Sequence, residues 1–223
     1  MMKFLCLLED VFFPAKCLNC NGKVQKQELF CASCRRQLQD IRFLHPLGYG
    51  CRNLDGICLL YSYERGVKTA LHKIKFEEKR QLLPRVAEEM KKVCYCADLT
   101  TNWNLSDNML LIPVPTDTSR FKARGYDVPT GIFKQWGERE ELIWCEALER
   151  VLPTVPQYGL NKNKRRQNVK NCFSVRGNVR GKDIFLVDDI FTSGATMDEA
   201  AKTLKRAGAA KIWALAFAGG AQV

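Results

Sequence analysis

The segment IFLVDDIFTSGAT, residues 184–196, combines two adjacent carboxylates with a short run of small and hydroxyl-bearing residues. Successive backbone amides in such a turn, followed by a helix N-terminus, attract an anion. Carboxylates, in contrast, accept hydrogen bonds from vicinal hydroxyls. The order therefore predicts that Asp188 and Asp189 hold ribose hydroxyls and that the loop holds a 5′-phosphate. The predicted phosphate loop consists of Thr192, Ser193, Gly194, Ala195 and Thr196. The simpler alternative is an aspartate pair that caps a turn beside an ordinary helix N-cap.

A second set of residues with metal-ligand spacing lies near the N-terminus. Two CxxC pairs, separated by ten residues, comprise Cys17, Cys20, Cys31 and Cys34. Each pair can supply two thiolates to one tetrahedral ion, and two pairs complete a site with four cysteine ligands. The pattern predicts a structural zinc site, because four thiolates leave no open position for a substrate. Two incidental pairs or a redox CxxC are the alternatives, although a redox motif would not need the second pair.

Basic residues are concentrated in one stretch of a chain whose formal net charge is +11. Residues 156–182 contain eight lysines or arginines and no acid. Such a cluster favours a phosphate-bearing partner, and single-stranded DNA would be bound largely without regard to sequence. The predicted nucleic-acid contacts are Lys162, Lys164, Arg165, Arg166 and Lys170. A loop that closes over a phosphorylated sugar and binds no nucleic acid remains the alternative.

Cysteine usage and hydropathy bear on the location of the protein. The cysteine count is 11, an odd number, and we find no secretion signal, which predicts reduced thiols and a cytoplasmic location. No apolar run approaches the roughly 18 residues that a membrane helix needs. The apolar N-terminal residues are interrupted by Glu9 and Asp10, and we expect them to form a short amphipathic helix.

Hydrophobic periodicity predicts the elements that must position these residues. Apolar runs predict buried strands, and positions spaced three and four apart predict helices between them. We expect strands at 57–63, 109–115, 185–187 and 212–217, and helices at 65–75, 80–94, 129–136 and 197–207. The segment 140–150 is ambiguous, and Arg120, Lys122 and Arg124 are expected in a loop after a strand, at the sheet edge where α/β proteins bind ligands. The predicted domains are 1–45 and 46–223.

Several motifs, in the same order and spacing, resemble one family. VDDIFTSGAT resembles the 5-phosphoribosyl-1-pyrophosphate (PRPP) motif of type I phosphoribosyltransferases, and the rest of the chain resembles the ComF family. The further matching positions are Phe13, Pro14, Lys75, Phe76, Pro113, Pro115, Arg120, Arg124, Gly125, Arg150, Thr154, Gln157, Leu160, Arg165, Asn168 and Phe173. The chain departs from the family pattern at Asp127 and Val128, which stand where the family has two amides.

The resemblance implies an α/β fold, namely a type I phosphoribosyltransferase-like parallel sheet flanked by helices, with a small N-terminal four-cysteine zinc-binding module. It implies that Lys75, Arg120, Arg124 and Arg165 face the pyrophosphate of PRPP, with Mg²⁺, and that residues 157–171 form a mobile hood over the site. It also implies a role in natural transformation, with single-stranded DNA and a helicase resembling ComFA as partners. The alternative is an active phosphoribosyltransferase with an unidentified acceptor. The sequence assigns no catalytic residue.

Overall fold

The computed structural model describes residues 14–99, 109–154 and 161–220, and the expected N-terminal helix lies outside them. The α-helices in these ranges are α1 (Ala32–Leu38), α2 (Arg65–Phe76), α3 (Leu83–Ala97), α4 (Thr118–Arg124), α5 (Val128–Arg139), α6 (Lys162–Val169) and α7 (Ala195–Arg206). The strands are β1 (Gln39–Leu44), β2 (Gly56–Ser62), β3 (Leu110–Pro113), β4 (Ile143–Trp144), β5 (Leu148–Arg150), β6 (Phe173–Val175), β7 (Ile184–Phe191) and β8 (Ile212–Gly219).

Six of the strands form a mostly parallel sheet in the order β1-β2-β8-β7-β3-β4. All neighbouring pairs run parallel except β1 and β2, which are antiparallel. The central strand β8 is buried along its whole length, as expected where helices cover both faces of a sheet. This architecture confirms the predicted α/β fold class.

Helices cover the two faces of the sheet and give each face its own apolar core. On one face, Val67 of α2, Met90 of α3 and Phe133 of α5 pack in one cluster. On the other face, Leu204 of α7 packs in a second cluster with Val169 of α6. Because β7 lies between these layers, residues at its carboxyl end are held by both cores.

Two segments differ from the sequence-based expectation. Residues 118–124 form the short helix α4 rather than a loop, because Asp117 caps its first turn through the Ser119 amide. Gly125, at φ 73°, then ends this helix in the left-handed conformation. The ambiguous segment 140–150 forms the two short strands β4 and β5. Strand β5 pairs with β6 in a separate two-stranded sheet.

The N-terminal cysteine segment is joined to the main sheet rather than set apart from it. Strand β1 follows α1 directly and pairs with β2 at the edge of the sheet. Cys17, Leu29 and Phe30 belong to the same apolar cluster as α2 and α3. The domain boundary near residue 45 therefore stays a prediction. No helix in the described ranges is long and apolar enough to cross a membrane.

Candidate functional site

The aspartate pair lies at the carboxyl end of the parallel sheet, within β7. Asp188 is half-buried, and Asp189 is only 6% exposed. The Lys75 ammonium, from the last turn of α2, lies 2.8 Å and 2.7 Å from the two carboxylate oxygens of Asp189. The Asp189 amide donates to Asp188 Oδ1 at 2.8 Å. The structure thus pairs Lys75 with Asp189, and its expected role towards a pyrophosphate stays a prediction.

Burial and like charge shape the electrostatics of this pair. Burial raises the pKa of Asp188 well above its usual range, and the neighbouring Asp189 carboxylate raises it further. Burial also raises the pKa of Tyr63, and the negative charge of Asp189 acts in the same direction. The single ammonium of Lys75 lowers the pKa of Asp188 but does not cancel these effects. Hydroxyl donors or a cation would therefore be bound favourably here.

The predicted phosphate loop connects β7 to α7 through a conformation that requires glycine. Gly194 has φ 71° and is the N-cap of α7, so no side chain of its own covers the amides of the first turn. A Cβ at this position would lie 2.4 Å from Cys51 Sγ and 2.7 Å from Phe191 Cζ. Thr192 is exposed, whereas Ser193 and Thr196 are half-buried. The Ser193 hydroxyl oxygen is buried and has no hydrogen-bond partner among the described residues.

A segment that the sequence analysis missed, residues 49–53, braces this loop. Asp198 Oδ1, in the first turn of α7, accepts the amides of Arg52 at 2.8 Å and Asn53 at 2.9 Å. Tyr49 packs edge-to-face on Phe191, with ring centroids 5.5 Å apart. Both contacts join positions more than a hundred residues apart, so no local pattern in the sequence marks them.

The two arginines after β3 are fixed beside the aspartate pair by α4. Arg124 Nε donates to the Lys75 carbonyl at 2.8 Å, which ties the end of α4 to the end of α2. Burial lowers the pKa of Arg124, the charge of Asp189 raises it, and the nearby charge of Arg120 lowers it. Lys75, Arg120 and Arg124 therefore form one basic group at the edge of the site, and its assignment to a pyrophosphate stays a prediction.

The departure from the family pattern at Asp127 has a structural role. Its Oδ2 accepts the Thr130 amide at 2.9 Å and caps α5. Its Oδ1 accepts the Thr116 amide at 3.3 Å and so fixes the turn that follows β3. A carboxylate serves as an N-cap as well as an amide does, so the replacement preserves the local fold.

The predicted basic hood is partly helical, since α6 spans Lys162–Val169 in the described residues. Lys164 and Lys170 are exposed, whereas Arg165 and Arg166 are half-buried. Arg166 Nη2 donates to the carbonyls of Tyr49 and Gly50, each at 2.9 Å. The side chain of Lys162 and residues 155–160 lie outside the described part. Arg166 therefore differs from the exposed Lys164 and Lys170, because its guanidinium already binds backbone carbonyls of the protein itself.

Two further polar residues, which the sequence analysis did not place in the site, fasten the base of this hood. Arg150 donates to the Pro115 carbonyl at 3.3 Å and to Thr154 Oγ1 at 3.2 Å. The buried Asp117 accepts the Thr154 amide at 3.2 Å. Burial alone would raise the pKa of Asp117, but hydrogen bonds from Ser119 and Thr154 lower it, so this carboxylate remains ionised.

The four N-terminal cysteines form a cluster suited to one tetrahedral ion. Their sulfur atoms all lie within 4.8 Å of one another, and Cys20 and Cys31 are 3.8 Å apart. Four Zn–S bonds of about 2.3 Å hold their sulfurs roughly 3.8 Å apart in a tetrahedron. The cluster therefore fits the zinc ion that the sequence predicted, as a structural site.

Polar contacts attach this cysteine cluster to the helices that carry the site. Asn19 donates to Cys34 Sγ at 3.3 Å, and its Oδ1 accepts the Gly66 amide of α2 at 3.3 Å. Arg85 of α3 donates to the carbonyls of Glu28 at 2.8 Å and Lys16 at 2.9 Å. The buried Glu89, one turn further along α3, accepts Arg35 Nε at 2.5 Å and Tyr61 Oη at 2.7 Å.

Comparison with known proteins identifies the class to which this fold and site belong. Residues 142–222 match the family described as "Phosphoribosyl transferase domain", and residues 8–46 match "Double zinc ribbon domain". Within the described residues, the second match contributes one four-cysteine cluster. The chain is thus a phosphoribosyltransferase-like α/β protein with an N-terminal zinc-binding module.

Individual relatives narrow this class to a family. The chain is 26% identical to "Competence protein F" of Haemophilus influenzae over an alignment of 230 positions, which spans 93% of this chain and 99% of that protein. It is 29% identical to "DNA utilization protein YhgH" of Escherichia coli O157:H7 over 69% of this chain and 68% of that protein. A "Ribose-phosphate pyrophosphokinase" of Vibrio parahaemolyticus is 29% identical over 49% of this chain and 33% of its own length. Together with the two domain matches, these relatives support the assignment of the chain to the ComF family that its motifs indicated.

Proposed function

We propose that this protein acts in DNA uptake or utilisation and binds PRPP with Mg²⁺ at the carboxyl end of its sheet. The main support for this ligand is that Asp188, Asp189 and the glycine loop lie on one strand–loop–helix unit. Lys75 and Arg124 lie beside them. The DNA role is supported by the names of the relatives, competence protein F and DNA utilization protein YhgH.

Different residues of the site suit different groups of this ligand. The ribose hydroxyls would donate to Asp188 and Asp189, and the 5′-phosphate would accept amides of loop 192–196 and the unpartnered hydroxyl of Ser193. Once the hydroxyls satisfy Asp189, the Lys75 ammonium can turn to the pyrophosphate. Mg²⁺ commonly binds one or two carboxylates together with substrate phosphates, and the aspartate pair supplies such oxygen ligands. The cation would offset the charge of the pyrophosphate.

Calorimetry with PRPP and Mg²⁺ tests this proposal. We expect saturable heat from the wild type and at least a tenfold loss of affinity when Asp188→Ala is combined with Asp189→Ala. Asp183→Asn is the matched control, because this acid lies just before the same strand and its side chain accepts, among the described residues, the Lys211 amide at 3.2 Å. No heat from the wild type at millimolar PRPP would refute the proposal.

Transfer of the phosphoribosyl group to an acceptor is a second candidate function. The match of residues 142–222 to the phosphoribosyl transferase domain favours it. Arg120, Arg124 and the cation would stabilise the charge that develops as pyrophosphate leaves. Pyrophosphate release is the readout, measured with nucleobases and short DNA strands as acceptors. Release that equals the rate of PRPP hydrolysis in buffer would exclude this activity.

The hood helix α6 is proposed to supply phosphate contacts to single-stranded DNA, through Lys164, Arg165 and Lys170. We expect the combined variant Lys164→Gln and Lys170→Gln to bind a single strand more weakly. Its slope of log affinity against log salt should be shallower by about 0.7 for each phosphate that the protein no longer neutralises. The pair Lys91→Gln and Lys92→Gln is the control, since each lysine already pairs with a glutamate on or near α3, at 3.6 Å and 3.8 Å. An unchanged slope in the α6 variant would contradict the assignment.

A helicase resembling ComFA is proposed as the protein partner, and the reducing cytoplasm as the location. Both follow from the family resemblance and from the number of cysteines. Co-purification of the tagged chain with such a helicase from its own host tests the partnership. Recovery of the helicase at background level, from cells that produce both proteins, would argue against it.

A further inference from the structure

Two exposed aromatic side chains lie on α2 and α4, the helices that carry Lys75 and Arg124 of the candidate site. Phe76, the last residue of α2, is 67% exposed, and Phe121 of α4 is 46% exposed. The exposure of Phe76 leaves apolar area in water that a stacked partner would cover. Phe76 directly follows Lys75, whose ammonium contacts Asp189, so this ring borders the aspartate pair.

The Phe76 ring is held in place rather than left to rotate freely. The His72 ring lies against it, with centroids 4.9 Å apart, and the Arg124 guanidinium lies 5.9 Å from its centroid. Tyr126 Oη donates to the Ile74 carbonyl at 2.5 Å, and Arg124 Nε donates to the Lys75 carbonyl. These bonds fix the end of α4 to the end of α2, so the aromatic surface exists before any ligand binds.

Basic residues flank the two aromatic residues in the sequence. Residues 72–80 contain two acids, Glu77 and Glu78, and residues 118–126 contain none. The basic residues of these two segments are Lys73, Lys75, Lys79, Arg80, Arg120, Lys122 and Arg124. Alternation of exposed aromatic faces with basic side chains is the pattern by which proteins bind single-stranded nucleic acid, through stacked bases and paired phosphates. The helix α6, in contrast, contains no aromatic residue.

We propose that Phe76 and Phe121 stack the bases of a single DNA strand whose phosphates bind the surrounding cations. This proposal rests on the proposed DNA function and assigns its base-contacting surface to α2 and α4, with α6 limited to phosphate contacts. The ligand recognised is a single-stranded nucleic acid of any sequence, because every base offers a π-face and no base edge is read.

Anisotropy with a labelled oligothymidine and an abasic strand of equal length tests the proposal. We expect the wild type to bind the oligothymidine five- to fiftyfold more tightly than the abasic strand. Phe76→Ala and Phe76→Leu should lose most of this preference and keep the salt slope, because every cation that pairs with a phosphate is still present. Phe76→Trp should retain it. The control is Tyr95→Ala, which removes another exposed aromatic residue, 83% exposed, from α3.

The outcomes separate this proposal from the one on which it rests. A wild-type protein that binds both strands equally, or a Phe76→Ala variant that keeps the preference, overturns the stacking surface and leaves the DNA function standing. A wild-type protein that binds neither strand overturns both the stacking surface and the proposed DNA function. Calorimetry with PRPP still tests the sugar-phosphate site separately. If Phe76→Ala instead loses binding to anionic phospholipid vesicles and keeps the base preference, the surface belongs to a membrane and the proposal fails. Zinc content and thermal midpoint, measured on each variant, confirm that it is folded.

Discussion

At the scale of single residues, the site contains an electrostatic imbalance. Two adjacent carboxylates face one ammonium, and the pKa of Asp188 rises through burial and through the charge of Asp189. An imbalance of this kind destabilises the folded protein in order to favour a ligand with hydroxyl donors or a cation. The sugar-phosphate proposal therefore has a consequence for stability as well as for binding.

Asp188→Asn is expected to stabilise the ligand-free protein while it weakens PRPP binding. The amide oxygen can still accept the Asp189 N–H, but the like charge is removed. We expect a gain of about 0.5–2 kcal/mol in unfolding free energy. Each kcal/mol corresponds to a rise of about 2–4 °C in thermal midpoint at this chain length. Differential scanning calorimetry at pH 7.5 measures it.

The pH dependence of this gain follows from the direction of the pKa shift. The folded pKa of Asp188 lies above the unfolded value, so the charged form destabilises the fold at any pH above both values. As the pH falls through the folded pKa towards about 4, Asp188 is protonated and the destabilisation disappears. The advantage of Asp188→Asn should therefore shrink as the pH is lowered. An advantage that grows on acidification would show that the shift has the opposite sign.

At this scale the sequence predicted some residues of the site and missed the contacts of others. Spacing alone singled out the four cysteines, which the structure brings together, and the two aspartates, which it places at the carboxyl end of the sheet. Spacing could not show that Lys75 pairs with Asp189 or that Arg166 binds two carbonyls of the protein, because these contacts join residues more than 110 positions apart. Asp117 and Arg150 were missed as well, because their contacts to Thr154 and to Pro115 join residues 37 and 35 positions apart, which is still beyond any local pattern.

At the scale of elements, the loop between β7 and α7 depends on close packing around Gly194. Cys51 and Phe191 occupy the space that any side chain at this position would need. Asp198 and Arg166 hold the Cys51 segment from opposite sides through its backbone. The loop is therefore rigid before a phosphate arrives, which lowers the entropic cost of binding.

Gly194→Ala is expected to destabilise the protein and to abolish measurable PRPP binding. Gly177 is the matched control, since it also has positive φ, 83°, but an added Cβ meets no described atom within 4 Å. Gly177→Ala should cost about 1–2 kcal/mol of unfolding free energy, the left-handed penalty alone. Gly194→Ala should cost more by at least about 1–3 kcal/mol, the usual range for overpacking. Urea unfolding measures both.

A further substitution distinguishes the steric cost of a side chain at position 194 from the cost of its positive φ. Cys51→Ala removes the sulfur 2.4 Å from the added Cβ, so it should restore part of the stability lost in Gly194→Ala. Equal costs for Gly194→Ala and Gly177→Ala would mean that Cys51 and Phe191 yield easily. The loop would then not be rigid.

The elements themselves were largely predictable from hydrophobic periodicity. The long buried strands β2, β7 and β8 and the amphipathic helices α2, α3 and α7 have strong patterns, and all occur near their expected positions. Strand β7, however, extends to Phe191 and includes both aspartates, beyond the expected end at residue 187. Short elements at the sheet edge have weaker patterns. Helix α4 is seven residues long and contains no buried residue, so its cap at Asp117, rather than its periodicity, determines it. Strands β4 and β5 depend on pairing with partners distant in sequence.

At the scale of the whole molecule, the zinc module supports the helices that form the sugar-phosphate site. Asn19 links the cysteine cluster to the first turn of α2, whose last turn carries Lys75. A Cβ on Gly66 would lie 2.9 Å from Phe30, so the module and α2 are in close contact. Arg85 and Glu89 attach the module to α3 by hydrogen bonds that are partly or wholly buried. Metal binding and site geometry should therefore be coupled.

Loss of the metal is expected to weaken the entire protein rather than the N-terminal segment alone. In Cys20→Ser combined with Cys31→Ser, the module should lose zinc and release Arg35. Glu89, 1% exposed, would then be left as a buried charge without its partner, at a cost of about 3–5 kcal/mol. We expect one unfolding transition at a lower midpoint, together with weaker PRPP binding because α2 is less well held. Elemental analysis, calorimetry and PRPP titration measure the three effects.

Two controls determine whether the lower midpoint comes from loss of the metal alone or from loss of the contacts between the zinc module and α3. Cys145→Ser alters a half-buried cysteine outside the cluster and should keep zinc, midpoint and affinity. Arg85→Met keeps all four cysteines but removes the bonds to the Lys16 and Glu28 carbonyls, so it should keep zinc and still lower the midpoint. A zinc-free variant with the wild-type midpoint and PRPP affinity would contradict the coupling. Glu89 connects the module to the sheet through Arg35 and Tyr61. Any release of the module should therefore also destabilise β2, which pairs with the central strand β8.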